Sequence, residues 1–130
     1  MLDLSKTFVV LLMLFLHVFD DFHLQGILAD LKQKSWWEKN AKNRRYRFDY
    51  IVCLVMHSIS WSFMIMLPIA VYYKFQVDLV FASFFVANVI VHAITDDMKA
   101  NRNMINLIAD QTIHIVQIAF TALEFLRFWG

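Results

Sequence analysis

Residues 77–98 read VDLVFASFFVANVIVHAITDDM, a mostly apolar segment that carries His92 and Asp96 near its end. A helix of about 20 residues spans the hydrocarbon core of a bilayer, which is about 30 Å thick. His92 and Asp96 are four positions apart, so they share one face of that helix. Ionisable side chains are costly in hydrocarbon and usually mark a functional site. The segment therefore predicts a membrane helix that contributes to a polar site.

The same combination recurs in other apolar parts of the chain, where His17/Asp21 and Asp110/His114 have the same spacing. Hydrophobic residues make up 60% of the chain, above the roughly 45–50% of an average soluble protein. The segments that approach membrane-spanning length, and are too long for strands, are residues 4–28, 50–73, 77–98 and 104–127. We therefore expect an all-α fold, a four-helix transmembrane bundle forming one domain over residues 1–130. A soluble helical bundle is the alternative.

Positive charge is concentrated in residues 29–48, between the first two apolar segments. The basic residues there are Lys32, Lys34, Lys39, Lys42, Arg44, Arg45 and Arg47. The positive-inside rule makes this segment a cytoplasmic loop and places both termini outside. The charge is explained either by topology alone or by binding of anionic lipid headgroups or a phosphate-bearing substrate. The expected partner is the lipid bilayer, and no nucleic acid is expected.

This orientation predicts that ionisable residues of four helices meet at one depth. Asp21, His57, His92 and Asp110 each lie about six or seven residues from a cytoplasmic helix end, and at about 1.5 Å per residue their heights agree closely. Further polar residues lie one helical turn deeper or shallower than these four: His17, His114, Asp96, Gln25 and Asn106. We expect these side chains to face the bundle interior and to form one site in the cytoplasmic leaflet.

Energetic cost favours bound cations at such a site. An aspartate at the centre of a membrane helix costs roughly 2.5–3.5 kcal/mol, whereas a hydrogen bond between membrane helices returns only about 0.6–2 kcal/mol. Imidazole and carboxylate ligands together suit Zn, Fe or Mn. The predicted ligands are His17, Asp21, His57, His92, Asp96, Asp110 and His114. They are too many for one tetrahedral ion and suggest two divalent transition-metal ions.

Other interpretations of these residues stay open. A bis-His haem is less suitable because it does not need the aspartates, whereas a proton or ion pathway and purely structural polar contacts would use the same residues. Asp20 and Asp97 are adjacent to the chosen aspartates and could replace them, while His23 lies off the polar face. Lys99 either neutralises substrate charge or only follows the positive-inside rule.

The motifs resemble those of a family of small, uncharacterised integral membrane proteins from bacteria and their phages. That family's pattern is His-x-x-x-Asp-Phe-x-Leu-Gln in the first helix, a His in the second, His-x-x-x-Asp-x-x-Lys closing the third and Asp-Gln-x-x-His in the last. Here the pattern falls on residues 17–25, His57, residues 92–99 and residues 110–114. The resemblance implies a multi-pass protein of the bacterial inner membrane and supports the site. The family is a domain of unknown function, so no chemistry follows from it.

The leading functional hypothesis is a metal-dependent hydrolase of a lipid or of another phosphate or carboxylate ester. Asp110, Asp96 and Lys99 would assist the reaction, and the ligands would be supported by Gln25, Asn106 and Gln111. The competing hypotheses are a small metal-ion or proton transporter that uses the same residues and a structural accessory protein of a phage or bacterial membrane. The sequence leaves open whether the protein is an enzyme and whether it forms a homo-oligomer.

Overall fold

The computed structural model describes residues 4–127, which form helices joined by short turns and contain no strand. The all-α prediction is therefore confirmed for this part of the chain. The α-helices are α1 (Leu4–Phe19), α2 (Leu28–Leu31), α3 (Lys34–Asn40), α4 (Asp49–Tyr72), α5 (Leu79–Ala100) and α6 (Leu107–Leu126). A π-helical turn, Asp20–Leu24, follows α1, and a 3-10 turn, Arg44–Tyr46, precedes α4.

The four long helices α1, α4, α5 and α6 pack against one another. Helix α4 contacts α1 and α5, and α6 contacts all three of the others. Side-chain caps fix where α5 and α6 begin: Asp78 accepts a hydrogen bond from the Phe81 N–H, and Asn106 accepts one from the Ala109 N–H, both at 2.9 Å. Each cap satisfies a backbone donor that the first helical turn leaves without a partner.

The interior of this bundle has an apolar half and a polar half. The apolar half is filled by buried side chains, among them Val9, Met13, Ile65, Met66, Ile69, Ile118, Ala122 and Leu126. Along α1 these residues precede His17, whereas along α4 and α6 they follow His57 and His114. The buried His and Asp side chains are consequently confined to the other half of the bundle.

Within residues 4–127, three helical stretches are long and apolar enough to cross a membrane: Leu4–Leu24, Arg44–Tyr72 and Leu79–Ala100. This composition is consistent with a membrane protein. Helix α6 has 20 residues but is not among the three. Its buried face carries Asp110, His114, Gln117 and Thr121, and these polar residues lower its hydropathy.

The first predicted span, residues 4–28, is not one continuous α-helix. Helix α1 ends at Phe19, the next turn is π-helical, and Gly26 then has a φ of 54°, which breaks the helix before α2. Within this π-helical turn, the consecutive residues Asp20 and Asp21 are both buried. Such π-helical turns occur frequently at functional sites.

The basic segment 29–48 packs on α4 and is hydrogen-bonded to the end of α5, so it is not an open loop. It contains α3, the 3-10 turn and the end of α2. The Lys34 backbone N–H donates to Asn101 Oδ1 at 2.7 Å, and Asn101 Nδ2 donates to the Lys32 carbonyl at 3.0 Å. Asn101 therefore anchors the segment at the end of α5.

The left-handed backbone at Gly26 leads to a stability prediction. A Cβ at this position would meet nothing closer than the Leu24 carbonyl oxygen at 3.9 Å, so a substitution causes no clash. Gly26→Ala should still destabilise the fold by about 1–2 kcal/mol, because a residue with a Cβ is disfavoured in this conformation. Thermal unfolding in detergent, followed by circular dichroism, measures the loss. Gly26→Asn should lose less, since Asn tolerates left-handed φ; an Ala variant as stable as the wild type would contradict the argument.

Candidate metal centre

Six buried side chains from four helical segments converge in the polar half of the bundle. They form two groups that share Asp21: one contains Asp21, His57, His92 and Asp96, and the other contains Asp21, Asp110 and His114. Within each group, the atoms that could bind a metal lie within 4.8 Å of one another. Each of the six is no more than 7% exposed. Six of the seven predicted ligands are thus brought together.

In the four-residue group, the contacts centre on His57 Nε2. This atom lies 3.2 Å from His92 Nε2, 3.3 Å from Asp21 Oδ1 and 3.4 Å from Asp96 Oδ2. A neutral His57 has a single N–H, so His57 Nε2 can offer at most one proton to these three neighbouring atoms. Ligand atoms about 2.1 Å from a tetrahedral Zn²⁺ lie about 3.4 Å from one another. The observed spacing is therefore that of ligands around a common ion.

In the second group, the contacts centre on His114 Nε2. This atom lies 3.2 Å from Asp110 Oδ1 and 3.4 Å from Asp96 Oδ1. Among the described residues, none of these three buried atoms has a hydrogen-bond partner. A buried polar atom without a partner is costly, and here three such atoms face one another. Asp96 also links the groups, since its other oxygen contacts His57.

A hydrogen-bond chain behind His114 determines which of its nitrogens faces the carboxylates. Gln117 Nε2 donates to the Asn88 carbonyl at 3.2 Å, which fixes the orientation of the Gln117 amide. Gln117 Oε1 must then accept a hydrogen bond from the N–H at His114 Nδ1, 3.2 Å away. The Nε2 of a neutral His114 presents a lone pair to two carboxylate oxygens, which suits a cation bound between them, whereas the Nε2–H of a protonated His114 would donate to the same oxygens. Gln117 was not predicted as a site residue, although it follows His114 by three positions on the same helix face.

His17, which the sequence predicted as a ligand, lies behind the centre instead. Trp61 can only donate through its Nε1, so His17 Nδ1, 2.8 Å away, must accept. The proton of His17 is then on Nε2, which donates to Gln111 Oε1 at 2.9 Å. Gln111 Nε2 in turn donates to Asp21 Oδ2 at 2.8 Å and to Asp110 Oδ2 at 3.0 Å. Both His17 nitrogens are engaged, and Gln111 supports two ligands.

Trp61 packs directly on the imidazole rings as well. Its ring is stacked on that of His92 with the centroids 4.2 Å apart, and the His114 ring centroid is 5.2 Å away. The indole is fully buried. Trp61 thus forms the boundary between the polar and apolar halves of the bundle.

Asp20 takes a position beside His57, outside the two groups of candidate ligands. Its Oδ1 accepts a hydrogen bond from Ser60 Oγ at 2.7 Å, and its Oδ2 lies 4.0 Å from His57 Nδ1. Carboxylates next to the second nitrogen of a metal-binding His commonly orient its ring. Asp20 is therefore placed to orient His57.

Two lysines are paired with carboxylates of the centre. Lys99 Nζ donates to Asp110 Oδ2 at 2.9 Å, which agrees with its predicted proximity to the site. Lys32 Nζ donates to Asp96 Oδ2 at 2.7 Å, and Lys32 is only 5% exposed. Sequence reasoning missed Lys32, because no local signal separates it from the other basic residues of the segment 29–48.

The remaining predicted residues lie at the edge of the centre or outside it. Gln25 donates to the Asp21 backbone carbonyl rather than to a carboxylate. Asn106 is exposed and caps α6, so it does not contact the ligands it was expected to support. His23 is exposed, as its helix face suggested, and Asp97 pairs with Arg102 at 2.9 Å.

Comparison with known proteins assigns no family or activity to this geometry. The resemblance based on the motifs therefore stays an expectation, and the chemistry of the centre has to be argued from its own residues. No protein-family model, curated protein or solved structure matches the chain.

Proposed function

We propose that this protein is an integral membrane protein with four spanning helices, and that its buried His/Asp cluster binds a divalent transition-metal ion, Zn, Fe or Mn, to hydrolyse an ester. Large apolar side chains are exposed along all four long helices, as lipid contact requires. On α6 these are Ile108, Ile115, Val116 and Phe120. They support α6 as a fourth spanning helix despite its polar inner face.

The observation that carries the metal proposal is the convergence at His114. Its Nε2, Asp96 Oδ1 and Asp110 Oδ1 are buried at 3.2–3.4 Å with no hydrogen bond among the residues described. Imidazole and carboxylate are ligands that Zn, Fe and Mn share. A divalent cation satisfies all three atoms at once.

The cluster of Asp96, Asp110 and His114 has the composition of a catalytic centre. A metal with three protein ligands keeps a position for water, whose pKa it lowers to about 7, and it polarises a bound ester. Lys99 contacts Asp110, and its side chain is 26% exposed, so the centre is most accessible there. A cation at this opening would attract an anionic substrate and neutralise charge that develops during hydrolysis.

One-sided access favours an enzyme over a transporter. The polar contacts extend from His114 through Gln117 to Asn88 and Thr121. Beyond Thr121 the interior is filled by apolar side chains such as Ile69, Ala122 and Leu126. A path for ions would have to cross this packed region, whereas a hydrolase needs access from only one side.

The basic segment supports an anionic substrate or lipid at the cytoplasmic face of a bacterial inner membrane. A pocket of about 200 Å³ is lined there by Lys34, Trp37, Lys42, Arg44 and Arg47. Clusters of Lys and Arg beside a membrane helix attract phosphate-bearing headgroups. The positive-inside rule puts this segment in the cytoplasm and both termini outside.

Metal binding is tested with two adjacent aspartates. Protein purified in detergent should retain Zn, Fe or Mn, measured by elemental analysis. Asp96→Asn should lower metal affinity at least about 10-fold, because Asp96 contacts both groups. The matched control is Asp97→Asn, which changes contacts to Arg102 and Asn101 outside the two groups and should bind metal like the wild type. A folded wild-type protein that takes up no metal would overturn the proposal.

Hydrolysis is tested with p-nitrophenyl phosphate, p-nitrophenyl acetate and short-chain phosphatidic acid, on metal-loaded protein. The wild type should turn over at least one of them, and Asp110→Asn should reduce the rate at least about 100-fold, since catalytic electrostatic groups contribute about 10²–10³ each. His23→Ala, a change at an exposed residue outside the centre, should have no effect. Metal or proton flux into liposomes that His57→Ala abolishes, without ester turnover, would replace the hydrolase with a transporter.

A further inference from the structure

When the imidazoles are neutral, as metal-binding histidines are, the buried charges of the centre do not balance without a metal. Four buried carboxylates, those of Asp20, Asp21, Asp96 and Asp110, face only two lysines, Lys32 and Lys99. His17 contributes no charge, because its Nδ1 accepts a hydrogen bond from the Trp61 N–H and therefore carries no proton. The excess of two negative charges is the charge of one divalent ion. A second ion would leave an excess of two positive charges in a buried environment, where uncompensated charge is costly.

The two groups also differ in how well their atoms are satisfied. At His114, three buried atoms lack hydrogen-bond partners among the described residues. At His57, Asp96 Oδ2 already accepts from Lys32 at 2.7 Å, and Asp21 Oδ1 lies 3.3 Å from the imidazole. Apart from Asp96 Oδ1, which faces His114, the one atom of this group without a partner among the described residues is His92 Nδ1. The requirement for a cation is therefore concentrated at His114.

Lys32 is held in place by more than its ion pair. Its carbonyl accepts a hydrogen bond from Asn101 Nδ2, and Asn101 Oδ1 accepts the Lys34 N–H. The Lys32 side chain is 7% exposed, compared with 26% for Lys99. The ammonium of Lys32 is thus a fixed positive charge beside the four-residue group, whereas Lys99 lies at the opening.

We propose that the centre holds a single divalent ion, bound by His114 Nε2, Asp96 Oδ1 and Asp110 Oδ1, and that the Lys32 ammonium takes the place of a second ion at the four-residue group. Two ions were predicted from the number of ligands alone, which does not consider Lys32. Removing the charge of Lys32 should open the second position. This inference rests on the proposed function only in requiring that the cluster binds metal.

The test is the number of ions per chain, measured on full-length protein after Zn²⁺ loading and removal of excess metal. The wild type should bind one Zn²⁺, and Lys32→Met should bind two. Lys32→Arg keeps the charge and should bind one. Lys34→Met is the matched control, because Lys34 is exposed on the same segment, and it should also bind one. Two ions in the wild type, or one in a folded Lys32→Met protein, would overturn the proposal.

A second measurement does not depend on the folding of the Lys32 variant. His114→Ala should lose the single ion, whereas His92→Ala should keep it with affinity changed by less than about 3-fold. The reverse order would place the ion in the four-residue group and contradict the proposal. Wild-type protein without any metal contradicts the proposed function itself, while wild-type protein with two ions contradicts only the present inference.

Discussion

The cost of burying carboxylates is the constraint on which the rest of this structure depends. Asp21, Asp96 and Asp110 lie in the interior of the bundle, and Asp21 and Asp96 take partners from distant parts of the chain. Gln111 of the last helix joins Asp21 to His17 of the first, and Lys32 reaches Asp96 from the basic segment. The hydrogen bonds that satisfy these groups therefore also connect the first and the last of the described helices.

The division of the interior into two halves follows from the same constraint. In the proposed membrane setting, lipid would supply little driving force for helices to associate, so close packing and polar contacts would have to provide it. Here the apolar half contributes close packing around Trp61 and Ile65, and the polar half contributes specific contacts. Since misaligned helices would leave buried ionic groups without partners, the polar half fixes the relative heights of the helices.

Much of the fold and most of the buried His/Asp cluster could be predicted, because helical spacing and depth are properties of regular helices. Asp21, His57, His92 and Asp110 were expected at one height, and the structure brings them together. The exclusion of His17 could not be predicted, since it depends on which ring nitrogen accepts from Trp61. Lys32 was missed because its long side chain reaches Asp96 only after the break at Gly26 turns the segment back towards α5, and spacing cannot report such tertiary contacts.

The position of Trp61 makes it a natural optical reporter. Its ring is stacked on His92 and its N–H is bonded to His17, so its emission depends on the electronic state of the centre. Trp36 and Trp37 belong to α3, in the basic segment, and are only partly buried. A bound ion with unpaired electrons would selectively quench the fluorescence of the buried Trp61, whereas Zn²⁺ would not. Occupancy of the centre by such an ion could then be followed by intrinsic tryptophan fluorescence, without any added label.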